Sequence, residues 1–243
     1  MHEQLWFTAL LNRLFAGPAT ALLRAMHIPV HHPEAPIPNY VAMQIFVFAL
    51  LLVFFLLVRM RLSVEKPGIL QHTMEGIHGF ISGLGNEIIG HGHERFDSFL
   101  IALGLYILVS NLLGLIPSFE SPTAIPSVPL GCALVTWFYY HFQGIRINGF
   151  SYVKHFMGPV LALSPLMFVI EIISHLARIM SLTVRLFANV FAGDMLTLAF
   201  FSLIPIGVPV VFLGLHLGVS IIQTYIFVLL ATVYLSEAAA HEH

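Results

Sequence analysis

Residues 40–58, YVAMQIFVFALLLVFFLLV, contain no charged side chain. As a helix such a run would be about 28 Å long, close to the roughly 30 Å hydrocarbon core of a bilayer. Backbone polar groups in lipid must be satisfied internally, so the run can cross only as a helix or as part of a closed barrel. Its unbroken apolarity, without period-two alternation, selects the helix. Further apolar stretches lie at about 97–116, 126–142, 160–203 and 207–238. Only 9% of the 243 residues are charged, too few to coat a water-soluble domain of this size. The sequence therefore predicts an all-α polytopic membrane protein with about five to six hydrophobic helices.

The remaining segments fill in one membrane domain. Residues 1–39 read as an amphipathic segment, at 4–27 with Arg13 and Arg24, followed by a loop rich in proline and histidine. Residues 40–158 hold three spans and a Gly-rich interfacial helix with its turn at 67–93. Residues 159–243 form a long helical hairpin, with Pro205 and Pro209 marking its turn. Its first arm, at about 65 Å, is twice the thickness of the hydrocarbon core. It must either break near Gly193 or lie strongly tilted, and the second arm tilts with it. Arg59, Arg61, Lys66, Arg95, Arg146 and Lys154 fall on one side, whereas the loop at 117–125 has no Lys or Arg. The positive-inside rule makes the basic side cytoplasmic. The first residues lack a basic leader, an apolar h-region and a small-residue cleavage site, so no removable signal peptide is expected.

Composition also excludes some classes. The net charge is −2 and no basic cluster is present, which argues against a nucleic-acid partner. Cys132 is the lone cysteine, so no disulfide framework is possible within the chain.

Against this apolar background the polar residues of 160–238 stand out. At 100° per residue from Glu171, His175 falls at about 40°, Arg178 at about −20°, Arg185 at about −40° and Asn189 at about 0°. Asp194 falls on another face, at about 140°. On the last helix His216, Ser220, Gln223 and Tyr234 form a second stripe, with Glu237 at its edge. An arginine or aspartate at the centre of a membrane helix costs about 2.5–3.5 kcal/mol on insertion scales. Helix-to-helix adhesion could be had from Ser, Thr and Asn at lower cost. Intramembrane charges of this kind mark an ion path. Glu171 can pair with His175 at i+4 or Arg178 at i+7. Arg185 has only Ser181, Leu182, Ala188 and Asn189 at i±3 and i±4, so its counter-charge is expected from another chain.

At these residues the sequence resembles the subunit a family of F-type ATP synthases, the membrane stator beside the rotating c-ring. SLTVRLFANVFAGDML (181–196) is similar to the family's signature around its essential arginine. SNLLGLIPSFESPTA (110–124) is similar to its earlier helix–loop motif, and IIQTYIFVLLATVYLSEA (221–238) to its C-terminal helix. The resemblance implies that Arg185 faces the c-ring carboxylate. It implies that Glu171, Ser181 and Asn189 belong to a cytoplasmic half-channel. Asp194, His216 and Gln223 would belong to the outer half-channel or the arginine's surroundings, and Asn111 to the earlier motif. His175 joins the proton path by its place on the stripe, and Arg178, Ser220 and Tyr234 support it. At Asp194 the family more often carries a glutamate or a histidine, and the shorter side chain calls for water or His216 to complete a relay.

The implied function is proton translocation coupled to rotation and ATP synthesis, by a subunit with no bond chemistry and no cofactor of its own. The implied partners are the c-ring, peripheral-stalk b subunits, the soluble ATPase sector and membrane lipids. The implied location is a bacterial inner membrane or an organelle counterpart. Two other classes fit the sequence less well. An intramembrane protease needs HExxH, paired aspartates or a Ser–His pair, but HEQLW and HERFD lack the second histidine. His91, His93 and the terminal HEH read as solvated histidines rather than a metal site, and Ser82 as a packing residue. A self-contained secondary transporter would show related halves, and none is visible.

Overall fold

The computed structural model describes residues 5–25, 35–63, 65–116, 119–149, 152, 164–203 and 208–239. The Pro/His loop (in part), Lys154 and Pro205 lie outside the described residues. Among those residues seven α-helices occur and no strand. They are α1 Trp6–Ala25, α2 Asn39–Met60, α3 Ile69–Ile88, α4 Glu94–Leu113, α5 Ser127–Asn148, α6 Ser164–Leu203 and α7 Val208–Ala239. A 3₁₀ turn at Pro122–Ala124 precedes α5.

Among the described residues four helical stretches are long and apolar enough to cross a membrane: Asn39–Met60, Glu94–Leu113, Ser164–Ser202 and Val210–Ala239. α5 extends past the predicted third span to Asn148 and is not among the four, because Tyr140, His141, Gln143 and Arg146 lower its hydropathy. α6 is continuous over 40 residues with no break at Gly193. At about 60 Å it is twice the hydrocarbon thickness, which leaves the oblique placement of the two sequence-level alternatives. Pro209 sits in the first turn of α7, where its missing N–H costs nothing.

Local chemistry fixes the ends. Glu94 and Asp97 occupy the first turn of α4, where carboxylates favour the helix dipole. Gly149 closes α5 at φ +58, a region that favours glycine. The tight turn from α3 to α4 uses Gly90 and Gly92, at φ +77 and +86. In that turn His93 is not a solvated loop histidine: its Nδ1 lies 3.2 Å from an oxygen of the buried Asp97. His91 is exposed, as expected.

α4, α5, α6 and α7 enclose the core, which includes Phe96, Leu100, Ile107, Leu186, Ala231 and Leu235. Gly104 permits a close approach of α4 to α7, since a Cβ there would lie 3.0 Å from Val228 Cγ2. Four buried threonines are satisfied within their own helices: Thr136, Thr183, Thr224 and Thr232 each donate to the carbonyl four residues earlier. α1 packs on α2 differently from a simple apolar face. Its buried residues include Thr8 and Asn12, and Asn12 exchanges two hydrogen bonds with the backbone of Ile37.

Two ends of the bundle can be told apart. At one, Ser236 Oγ donates to Ile88 O and Asn148 Nδ2 to Ala238 O, joining the C-terminal ends of α3, α5 and α7. Arg95 and Arg146 share a polar cleft there. At the other, α4, the 3₁₀ turn, the later part of α6 and the start of α7 converge. The predicted polar stripes of α6 and α7 run between these ends.

Candidate functional site

The buried face of α6 is a stripe of His175, Ile179, Leu182, Leu186 and Val190, spaced three and four apart. Gly193 continues it. Taking Leu182 as the reference, Arg185 falls about 60° to one side and Asp194 about 120° to the other. The two charges therefore flank the buried stripe, nearly opposite one another. Arg185 is half-buried and its Nη2 reaches Ser181 Oγ at 3.4 Å. No carboxylate among the described residues lies within ion-pair distance of it. Beside it Val184, Ala188 and Phe191 are exposed.

Toward the basic end a first cluster forms. His175 Nε2 lies 3.3 Å from Glu171 Oε1, the i+4 pairing open at the sequence level. Its Nδ1 is 2.8 Å from the hydroxyl of Tyr140 on α5. Arg178 turns away from Glu171 and donates to Glu237 Oε2 on α7, with its guanidinium 4.8 Å from the centre of the Tyr234 ring. Tyr152 closes the group, its hydroxyl 2.8 Å from His141 Nδ1. Burial pushes the Tyr152 phenol up to about 12, so it remains neutral and able to donate. Gly144 makes room for that ring, since a Cβ there would lie 2.5 Å from it. A small cavity lies among Tyr140, Glu171, His175, Arg178, Tyr234 and Glu237.

Toward the other end a second cluster centres on Asp194. Its Oδ1 lies 3.5 Å from Nδ1 of His216, which is almost wholly buried. Gly193 creates the space, because a Cβ there would sit 2.9 Å from the same nitrogen. Gly114, just past α4, brings the chain against the Asp194 carboxylate and Ser121. Thr123 Oγ1 donates to Asn111 Oδ1 at 2.6 Å, and Ser121 Oγ lies within hydrogen-bond distance of both Thr123 Oγ1 and the carbonyl of Ser110. At this end four buried polar atoms find no partner among the described residues: Ser110 Oγ, Asn111 Nδ2, His216 Nε2 and Ser220 Oγ. Four such atoms on α4 and α7, helices packed against each other, call for water.

Of the residues singled out in the sequence, Glu171, His175, Arg178 and Tyr234 come together at one end, and Asn111, Asp194, His216 and Ser220 belong to the other. Arg185 and Ser181 lie between. Asn189 and Gln223 are half-buried and make no side-chain hydrogen bond among the described residues. Sequence reasoning missed Tyr140, His141 and Tyr152, which sit among other aromatics and carry no helical-period signal. It also passed over Ser110, Ser121 and Thr123, although all three lie inside the quoted 110–124 motif. Gly193, one of whose two sequence alternatives was a break, lies inside a continuous helix and makes room for His216. Among the described residues no three His, Cys, Asp or Glu side chains are arranged to hold a metal ion.

The chain matches the family model described as ATP synthase A chain over residues 41–236. It is 63% identical to ATP synthase subunit a of Koribacter versatilis (strain Ellin345), with both chains fully covered. It is 48% identical to ATP synthase subunit a of Solibacter usitatus (strain Ellin6076), over 87% of this chain and 91% of that one. ATP synthase subunit a of Aquifex aeolicus (strain VF5) is 41% identical, over 73% and 86% respectively.

Proposed function

The chain belongs to the ATP synthase A chain family, and from that premise we propose that it is the ion-conducting stator in which Arg185 separates two half-paths. In this reading protons enter by the Asp194–His216 cluster, ride on carboxylates of a c-ring, and leave by the Glu171–His175 cluster during ATP synthesis. The observation that carries it is the position of Arg185. It lies between two polar clusters at opposite ends, with no acid among the described residues of its own chain in range.

The physics of the exchange is simple. A carboxylate must be neutral while it travels through lipid, because a bare charge there is prohibitively costly. At the stator it must ionise. At about 4 Å and an effective dielectric of about 20, a guanidinium favours the ionised partner by about 4 kcal/mol. It stays charged at any working pH and so repels a proton passing straight from one cluster to the other. Flow is then forced through rotation, and each proton crossing 100 mV contributes about 2.3 kcal/mol. The waters called for by Ser110, Asn111, His216 and Ser220 supply the outer half-path, and Asp194 with His216 its inner end.

The same reading assigns the partners and the place. The c-ring packs against the Arg185 flank of α6, b subunits hold the stator, the soluble sector makes ATP, and the basic end faces the cytoplasm of a bacterial inner membrane. The subunit conducts and performs no bond chemistry. It is one membrane domain in which the α6–α7 hairpin carries the path and the segments before it form the frame. The test is ATP-driven acidification and passive proton leak in vesicles bearing the whole complex, wild type against Arg185→Ala. Lost pumping with the complex assembled, and leak retained or raised, supports the gate; surviving pumping removes it.

A further inference from the structure

Arg178 presents a difficulty that the two-cluster arrangement does not itself resolve. It lies seven residues before Arg185, about 10 Å nearer the basic end and only about 20° around the helix. Its guanidinium is charged under all working conditions. A second bare positive charge beside Glu171 would oppose cations at the mouth of the path as Arg185 does at its centre.

The contacts of Arg178 answer this. Its Nη1 donates to Glu237 Oε2, and the Tyr234 ring lies beneath the guanidinium at 4.8 Å. Both partners come from the last turns of α7, three residues apart, so one helix face supplies a carboxylate and a π-face together. The pairing also decides what Arg178 does not do. The i+7 contact with Glu171 is not made, and Glu171 is left to His175 at 3.3 Å. The Arg178 side chain is 20% exposed and that of Glu237 50%, so the pair stands at the rim of the small cavity and is open to ions.

We propose that Glu237 is a positioning residue for ion transport: it cancels Arg178 and holds it on α7, keeping the path past Glu171 passable to cations. The proposal rests on the reading that protons leave by the Glu171 cluster. Glu237 carries no proton itself in this scheme; it acts through Arg178.

The test uses vesicles with the whole complex and measures ATP-driven acidification, each rate normalised to wild type at the same salt. Glu237→Gln is expected to pump at least about threefold more slowly at roughly 0.1 M salt, where charges about 10 Å apart still interact. The deficit should shrink at roughly 1 M, where screening acts over about 3 Å. Adding Arg178→Gln to Glu237→Gln should restore most of the rate, and Glu237→Asp should stay close to wild type. A packing contact predicts no salt relief, and a proton carrier predicts no rescue by removing Arg178. Wild-type rates in Glu237→Gln, or a loss that neither salt nor Arg178→Gln relieves, overturn the proposal. If Glu237→Gln does not assemble, the double variant and Glu237→Asp decide: both slow means the charge is not the cause. Arg185→Ala runs alongside; if it pumps, the path reading fails and takes this proposal with it. If it does not pump while Glu237→Gln is normal, only this proposal fails.

Discussion

Asp194 Oδ1 and His216 Nδ1 lie 3.5 Å apart across the contact between α6 and α7, and Gly193 is what admits the imidazole. A methyl at Gly193 would come within 2.9 Å of His216 Nδ1, closer than real Cβ contacts allow. Gly193→Ala should therefore push the ring away from Asp194. The substitution gains about 1 kcal/mol of helix propensity, so instability of α6 would not explain a defect. The expected result is an assembled complex with severalfold slower ATP-driven acidification. A variant that pumps at the wild-type rate would show that the Asp194–His216 contact is dispensable.

The buried Thr123–Asn111 bond carries a separate expectation. Both residues are wholly buried and their oxygens are 2.6 Å apart. Thr123→Val keeps the shape but removes the donor to Asn111 Oδ1 and the partner of Ser121 Oγ. Leaving such groups unmet costs about 1–3 kcal/mol. Thermal unfolding of the purified complex should begin at lower temperature, with the 3₁₀ turn loosened against α4. An unchanged melting profile would mean that water replaces the hydroxyl without loss.

Much of this was legible from the sequence, and the limits have physical causes. The apolar runs gave the helices because lipid leaves the backbone few alternatives. Spacing put His175 within reach of Glu171 at i+4, with Arg178 at i+7 as the alternative, and the structure makes the first contact. The sequence does not decide between a break near Gly193 and a continuous tilted α6, because a glycine suits both and only the neighbouring helix decides. Arg178 could reach Glu171 or another chain element; the choice of Glu237 depends on the register between α6 and α7, which no local pattern encodes. Tyr140 is invisible for the same reason. Its hydroxyl meets a histidine 35 residues later, and a tyrosine in WFYYHF looks like apolar filling. Helical periodicity puts Asp194 on a separate face, yet its contact with His216 depends on α7 approaching at Gly193.

Tyr140 leads to a test of the inner cluster. Tyr140→Phe preserves the buried ring and removes only the hydroxyl 2.8 Å from His175 Nδ1. The lost bond is worth about 0.5–1.5 kcal/mol, so assembly should survive. Without the Tyr140 bond the imidazole presents Nε2 to Glu171 less consistently. Proton transport should slow more than the small stability change accounts for. Equal rates in Tyr140→Phe and wild type would reduce the Tyr140–His175 bond to an adhesive between α5 and α6.

Arg185→Lys separates charge from chemistry most sharply. Both side chains are cationic in water, and a purely structural charge would tolerate the exchange. A guanidinium cannot lose its proton under working conditions, whereas an ammonium in an apolar setting can. The neutral amine would cease to drive an arriving carboxylic acid to ionise, and it would no longer bar protons from passing between the Asp194 and Glu171 clusters. It also lacks the planar fork that can hold Ser181 Oγ and a partner carboxylate together. ATP-driven acidification by Arg185→Lys should be abolished in an assembled complex, with passive leak retained or increased. If coupled pumping persists with lysine at this position, a fixed charge is not the gate, and separation of the two clusters must come from packing around Leu186 and Val190 instead.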